Sequence, residues 1–175
     1  DVLSEFDAVV VPTVFDKRAS VTTLDNDLSE GPFTYEVFQN ILHKGLASVV
    51  QGTFEFRFIV PRDLNYTYGP GRISCYALSN QMDAHGYTED FIIGGTSDNP
   101  SLDDEGPEVE LYINDTLFKA GDVVHEDPWL FARIFDESGI NTSGNGIGHD
   151  AKAILDGDAS RPFVLNEYFV SDLDT

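Results

Sequence analysis

The chain has 175 residues, with 31 acidic against 10 basic side chains and a formal charge of −21. So acidic a surface excludes nucleic acid as a partner, which needs clustered Lys and Arg, and disfavours docking to an anionic membrane leaflet. Hydrophobic residues make up 41% of the chain, enough to build a core, yet no apolar run approaches the roughly 20 residues of a membrane-spanning helix.

One cysteine permits no internal disulfide. No signal peptide is visible and the chain starts at Asp1 in mid-pattern, so the expectation is a piece of a longer protein whose export signal lies upstream.

Ala8–Val14 reads as an apolar strand, which Pro12 confines to an edge or a bulge. Arg18–Leu24 alternates, with Ala19, Val21 and Thr23 on one face. Asp25–Pro32 is a polar loop, and Val37–Leu42 fits either a helical turn or an irregular strand. Gln51-Gly52 is a two-residue hairpin turn joining Ala47–Val50 to Thr53–Val60, with Gly52 supplying a positive φ. Thr53–Val60 alternates strictly, placing Phe54, Phe56, Phe58 and Val60 on one side and Thr53, Glu55, Arg57 and Ile59 on the other. That period predicts a half-buried strand ended by Pro61. Gly69-Pro70-Gly71 then turns the chain into a strand at Ile73–Ala77, and Tyr87–Gly94 gives one more. Three strands with one greasy face need a second sheet to cover them, so the local reading is a β-sandwich.

Residues 96–107 are rich in Asp, Ser, Pro and Gly and read as an acidic linker. Glu108–Asn114 and Trp129–Phe135 are strands of a second domain. Asp136–Gly148 is a Gly/Asn/Ser loop, Ala151–Leu155 is strand-like, and Pro162–Leu173 is extended and mixed. No segment carries a helical period. The predicted class is all-β: a β-sandwich over residues 1–95, the linker, and an immunoglobulin-like β-sandwich over 108–175 with too few strands to be complete.

Candidate chemistry is sparse. Cys75 lies in phase with Ile73 and Ala77, so it faces a core, whereas a thiol nucleophile needs exposure and a positive neighbourhood. His43, His85, His125 and His149 follow no zinc spacing. His149-Asp150, after two glycines, is the most site-like pair, and a turn with a local hydrogen bond explains it as well. Asp98, Asp103, Asp104, Glu105 and Glu108 supply hard oxygens for a structural Ca²⁺ at the linker, although their spacing matches no EF-hand and a solvated acidic linker accounts for them. The same holds for Asp83, Asp90, Asp156 and Asp158. Tyr66, Tyr68 and Tyr76 offer a strip for sugar or peptide, or simply pack the nearby turn. No catalytic set and no other cofactor motif is present.

Four blocks carry a resemblance: Val9–Leu24 (VVVPTVFDKRASVTTL), Gly45–Ala77 (GLASVVQGTFEFRFIVPRDLNYTYGPGRISCYA), Asp83–Gly95 (DAHGYTEDFIIGG) and Gly106–Gly157, with its DESGIN…GIGHD motif. They resemble the C-terminal, non-catalytic part of the PorU family, gingipain-like cysteine peptidases of the Bacteroidetes type IX secretion system. The resemblance implies a cell-surface sortase on the extracellular face of the outer membrane. Such an enzyme removes the C-terminal signal of secreted cargo, helps attach the cargo to lipopolysaccharide, and has PorV as its outer-membrane partner. The family's catalytic Cys and His belong to an upstream domain whose pattern is missing here, so no catalytic residue is carried over. Cys75 also stands where related sequences favour an aromatic. The implied role is a non-enzymatic accessory region that positions cargo C-terminal domains or the partner; the alternative is a structural spacer or adhesin-like module. Asp115-Thr116-Leu117 also matches a Bacteroidetes O-glycosylation pattern.

Overall fold

The structure is a computed structural model, described for residues 3–26, 31–61, 64–97, 105–141 and 150–174. It is all-β and consistent with a β-sandwich. The strands are β1 (Ala8–Phe15), β2 (Ala19–Thr22), β3 (Thr34–Val37), β4 (Ile41–Val49), β5 (Gly69–Pro70), β6 (Arg72–Leu78), β7 (Asp83–Thr88), β8 (Ile92–Ile93), β9 (Glu108–Ile113), β10 (Leu130–Phe135), β11 (Lys152–Ala153), β12 (Phe163–Val164) and β13 (Ser171–Leu173), with one 3₁₀ turn at Asn166–Tyr168. The chain divides into two compact units. One comprises Asp1–Asp98 with Asn141–Thr175, the other Asn99–Ile140. Residues 141–175, which the sequence places with 108–140, thus cluster with the first unit.

The first unit is built on a five-stranded sheet of order β13-β4-β1-β6-β7. All neighbours are antiparallel except β13, which runs parallel to β4. Its inner face follows from period-two alternation: Val10, Pro12 and Val14 of β1 lie beside His43 and Ala47 of β4 and beside Ile73, Cys75 and Ala77 of β6. Val10, Ala47, Val49 and Ala77 form one buried cluster; Val14, Leu42 and Leu64 form another. Burying each such valine contributes roughly 1.5–3 kcal/mol.

Pro12 corrects the expectation of an edge or bulge strand. β1 is central, and Pro12 is among its fully buried residues. The β1–β6 ladder runs unbroken past it, whereas the β1–β4 ladder has no partners at Val11 and Pro12. The missing N–H is accommodated as a local gap on one side of the strand. The single strand expected over Tyr87–Gly94 is two: β7 ends at Thr88, and after a short turn β8 pairs with β5.

The predicted strand Thr53–Val60 is the main difference. The turn forms as expected, with Gln51 at φ 51° and Gly52 at φ 74° and reciprocal bonds Val50 N–H to Thr53 O (2.9 Å) and Thr53 N–H to Val50 O (3.1 Å). Pairing stops at that bridge. Residues 54–60 instead run outside any sheet, and the aromatic stripe packs against the core: Phe56 touches both buried clusters and Phe58 the second. Successive rings stack at 6.4 and 6.3 Å, and His43 stacks on Phe56 (5.7 Å) and Phe58 (5.0 Å). The expected strand is thus a covering segment with no ladder: of its apolar side, Phe56 and Phe58 pack on the core, while Phe54 and Val60 are 43% and 51% exposed.

The second unit is organised by the β9–β10 hairpin, in register from Glu108↔Phe135 to Ile113↔Leu130. Val109, Leu111 and Ile113 share one face with Leu130, Ala132 and Ile134.

Candidate interaction surface

The outer face of the five-stranded sheet is exposed and has the composition of a recognition surface. Antiparallel register aligns Val9, Leu78 and Asp83 in one row, Val11, Tyr76 and His85 in the next, and Thr13, Ser74 and Tyr87 in a third. Val9, Tyr76, Leu78 and Tyr87 are 41%, 46%, 57% and 66% exposed. Tyrosines with an apolar body and a polar tip suit such a face. Tyr76 donates its hydroxyl to Asp83 Oδ2 at 3.3 Å, and the neighbouring carboxylate charge pushes its pKa up.

One end of this face holds an Arg–aromatic cluster. Phe15 lies opposite Arg72 in the β1–β6 register and meets Phe38 with ring centroids 6.3 Å apart. The Arg72 guanidinium sits 4.1 Å from the Tyr87 ring and 5.7 Å from that of Phe38, while Arg18 sits 4.8 Å from Phe38. Glu89 pairs with Arg18 at 3.1 Å and Arg72 at 3.8 Å. Two guanidiniums against one carboxylate leave a local positive charge on a strongly acidic chain. Planar guanidiniums held over rings are preorganised to meet carboxylates or peptide carbonyls. The sequence conceals this cluster because Arg18 and Glu89 are 71 positions apart; its one local signal is the alternation Arg72, Ser74, Tyr76, Leu78 opposite the inward set.

The candidates read from sequence fall elsewhere. Asp98, Asp103 and Asp104 lie outside the described residues, as does His149. Glu105 and Glu108 are exposed. Glu108 borders a shallow depression of about 120 Å³ with Glu110, Arg133 and Phe135. Arg133, 3.8 Å from Glu110, supplies a positive charge where a cation would need room. Among the described residues no three His, Cys, Asp or Glu side chains gather as a metal site. Asp150 pairs with Lys152 at 3.4 Å. Asp158 accepts hydrogen bonds from the Ser160 hydroxyl and amide, which hold its carboxyl below the usual range.

Cys75 is half-buried, faces the inner side opposite Pro12 and Gly86, and packs against the first core cluster. Burial pushes its thiol pKa up, the reverse of nucleophile activation. The tyrosines serve separate neighbours: Tyr68 covers Gly95, whose missing Cβ makes room for its hydroxyl, and Tyr76 bonds Asp83. Asp115-Thr116-Leu117 sits on an exposed turn in which Asp115 Oδ1 accepts from the Leu117 amide at 2.8 Å.

These features define a strand-built module with an exposed aromatic face. Compared with solved structures, the chain matches the crystal structure of dimeric latent PorU from Porphyromonas gingivalis, with TM-score 0.54 and 32% identity, covering 98% of this chain and 16% of that one. The chain is thus PorU-like over nearly its whole length while spanning about a sixth of the length of that protein. No family model and no curated protein matches it.

Proposed function

We propose that this chain is the non-catalytic accessory region of a PorU-like sortase on the cell surface, and that it positions type IX cargo or the outer-membrane partner PorV against an active site elsewhere in the parent protein. The observation that carries this reading is the match to PorU along 98% of the chain at 32% identity. The outer face of β1, β6 and β7 is the surface that would do the positioning. Its exposed tyrosines and leucine, flanked by Arg18 and Arg72, can receive an extended or β-rich partner through apolar contact and guanidinium–carbonyl bonds. The reading needs no chemistry from this region, in keeping with the buried thiol of Cys75.

The test replaces Tyr76 and Tyr87 with Ala in the full-length parent protein. The reading expects a folded, surface-displayed parent whose cleavage of cargo C-terminal signals drops at least tenfold. Unchanged processing of cargo by that variant and by a second one lacking Arg72 and Leu78 side chains contradicts it and favours a spacer.

A further inference from the structure

We propose that the outer edge of β4 is a single slot for which two strands of this chain compete: β13, which holds it in the structure, and residues 53–60, which take it when β13 leaves. The Gln51-Gly52 turn has positive φ at both central residues and two closing hydrogen bonds, the geometry that launches a right-twisted two-residue hairpin. Such a turn fixes the register of whatever follows it. Extended along β4, the hairpin would set Phe54 opposite Val49, Glu55 opposite Ser48, Phe56 opposite Ala47, Arg57 opposite Leu46 and Phe58 opposite Gly45. Directly opposed residues share a face, and Ala47 and Val49 are buried on the inner side of the sheet. The aromatic stripe would thus keep facing the core it already covers.

What stops the hairpin is Asp174. Val50 has its N–H and C=O bonded to Thr53, so the even residues of β4 present their backbone groups to that same edge. After the Ser48 C=O, the next groups along it are the Ser48 N–H and the Leu46 C=O. Asp174 Oδ1 accepts from the Ser48 amide at 2.7 Å, its own N–H donates to Leu46 O at 3.0 Å, and Oδ2 accepts from the Ser48 hydroxyl at 2.8 Å. The carbonyl of Glu55 and the amide of Arg57 need those same two groups, so the two pairings exclude each other.

The resident strand has a small hold. It pairs only Ser171 with Gly45 and Leu173 with Leu46, with a register irregularity between them. Asp174 itself sits at φ 58°, in the left-handed region that Asp adopts more readily than most residues but less readily than Gly. The competing hairpin offers the Ser48–Glu55, Leu46–Arg57 and Lys44–Ile59 pairs. Exchange releases the segment from Ser171 onward for contacts outside this sheet, a device for coupling the chain's last strand to a partner.

The test is amide hydrogen exchange on the full chain and its Asp174→Ala and Asp174→Leu variants. In the parent chain the Glu55, Arg57 and Ile59 amides should exchange faster than those of β1 and β6. In Asp174→Ala they should slow at least tenfold, the Ser171–Leu173 amides should speed up, and β1 and β6 should stay protected. Adding Gly52→Val, which blocks the turn, should reverse the gain. Loss of β13 protection with no gain at Glu55, Arg57 and Ile59, while β1 and β6 remain protected, overturns the proposal. So does simultaneous protection of both segments in the parent chain. Should Asp174→Ala disturb β1 and β6, Asp174→Leu, which keeps nearly the side-chain shape but has no acceptor for Ser48, should still transfer protection from β13 to Glu55, Arg57 and Ile59, and its failure to do so overturns the proposal equally.

Discussion

Asp174 grips Ser48 twice, accepting from its amide at 2.7 Å and from its hydroxyl at 2.8 Å, and so ties the two sequence segments of the first unit into one sheet. The two hydrogen bonds hold the Asp174 carboxyl below its ordinary value of 3.8. A depressed carboxylate pKa means that the tie contributes fully above that value and is lost as pH falls through the lower, folded-state pKa. The Ser48 amide resonance should therefore stay constant from neutral pH down to about 4 and shift only below it. A Ser48 titration midpoint above 3.8 would show that the clasp is absent in solution.

Gly45 is required where β4 passes the His43 ring and β13. A Cβ there would come within 2.9 Å of His43 Nε2 and 3.2 Å of Ser171 Cβ. Gly45→Ala should destabilise the chain by about 1–3 kcal/mol in urea unfolding. Gly86→Ala, on β7 with nothing within 4 Å of the added carbon, should stay within about 0.5 kcal/mol of the parent. Equal effects at the two sites contradict the packing described.

His43 is only 8% exposed and is stacked on two phenylalanines, and burial lowers its pKa from 6.5. The unfolded chain takes up the proton first, so stability that is intact above 6.5 should fall as pH drops below it. The ring resonances should titrate with a midpoint below 6.5. A midpoint above that value would mean that the imidazolium is stabilised and that the stacked arrangement is wrong.

The thiol of Cys75 should react slowly with a thiol-specific reagent at neutral pH in the folded chain and promptly in denaturant, since burial raises its pKa. Cys75→Ser should leave the activity of the parent protein unchanged and lower stability by about 1 kcal/mol. Fast modification of the native thiol would reopen a chemical role.

Much of the sheet was legible because period-two alternation reports burial directly: Val10 and Val14, Ile73 and Cys75, and Phe56 and Phe58 face the core as their spacing requires, although Phe54 does not. What the alternation could not reveal was competition for a strand edge. The sequence of residues 51–60 encodes a hairpin well, yet Asp174, more than a hundred positions away, holds the groups it needs. Pro12 misled for a related reason. A missing N–H rules out one hydrogen bond, not a central place in the sheet, and the gap opposite Val11 and Pro12 absorbs it. The Arg–aromatic cluster was hidden because Arg18, Phe38, Arg72, Tyr87 and Glu89 come from separate segments and meet only through β1–β6–β7 pairing and the connections beside it.

Whether this PorU-like region receives cargo on its outer sheet face is tested most directly by surface plasmon resonance between the chain and a purified type IX cargo C-terminal signal domain. Saturable binding is expected, weakening at least tenfold in the Tyr76→Ala/Tyr87→Ala variant while the variant's unfolding curve stays within about 1 kcal/mol of the parent's. Absence of saturable binding by the folded chain, or binding indifferent to those two tyrosines, would refute cargo recognition by this face.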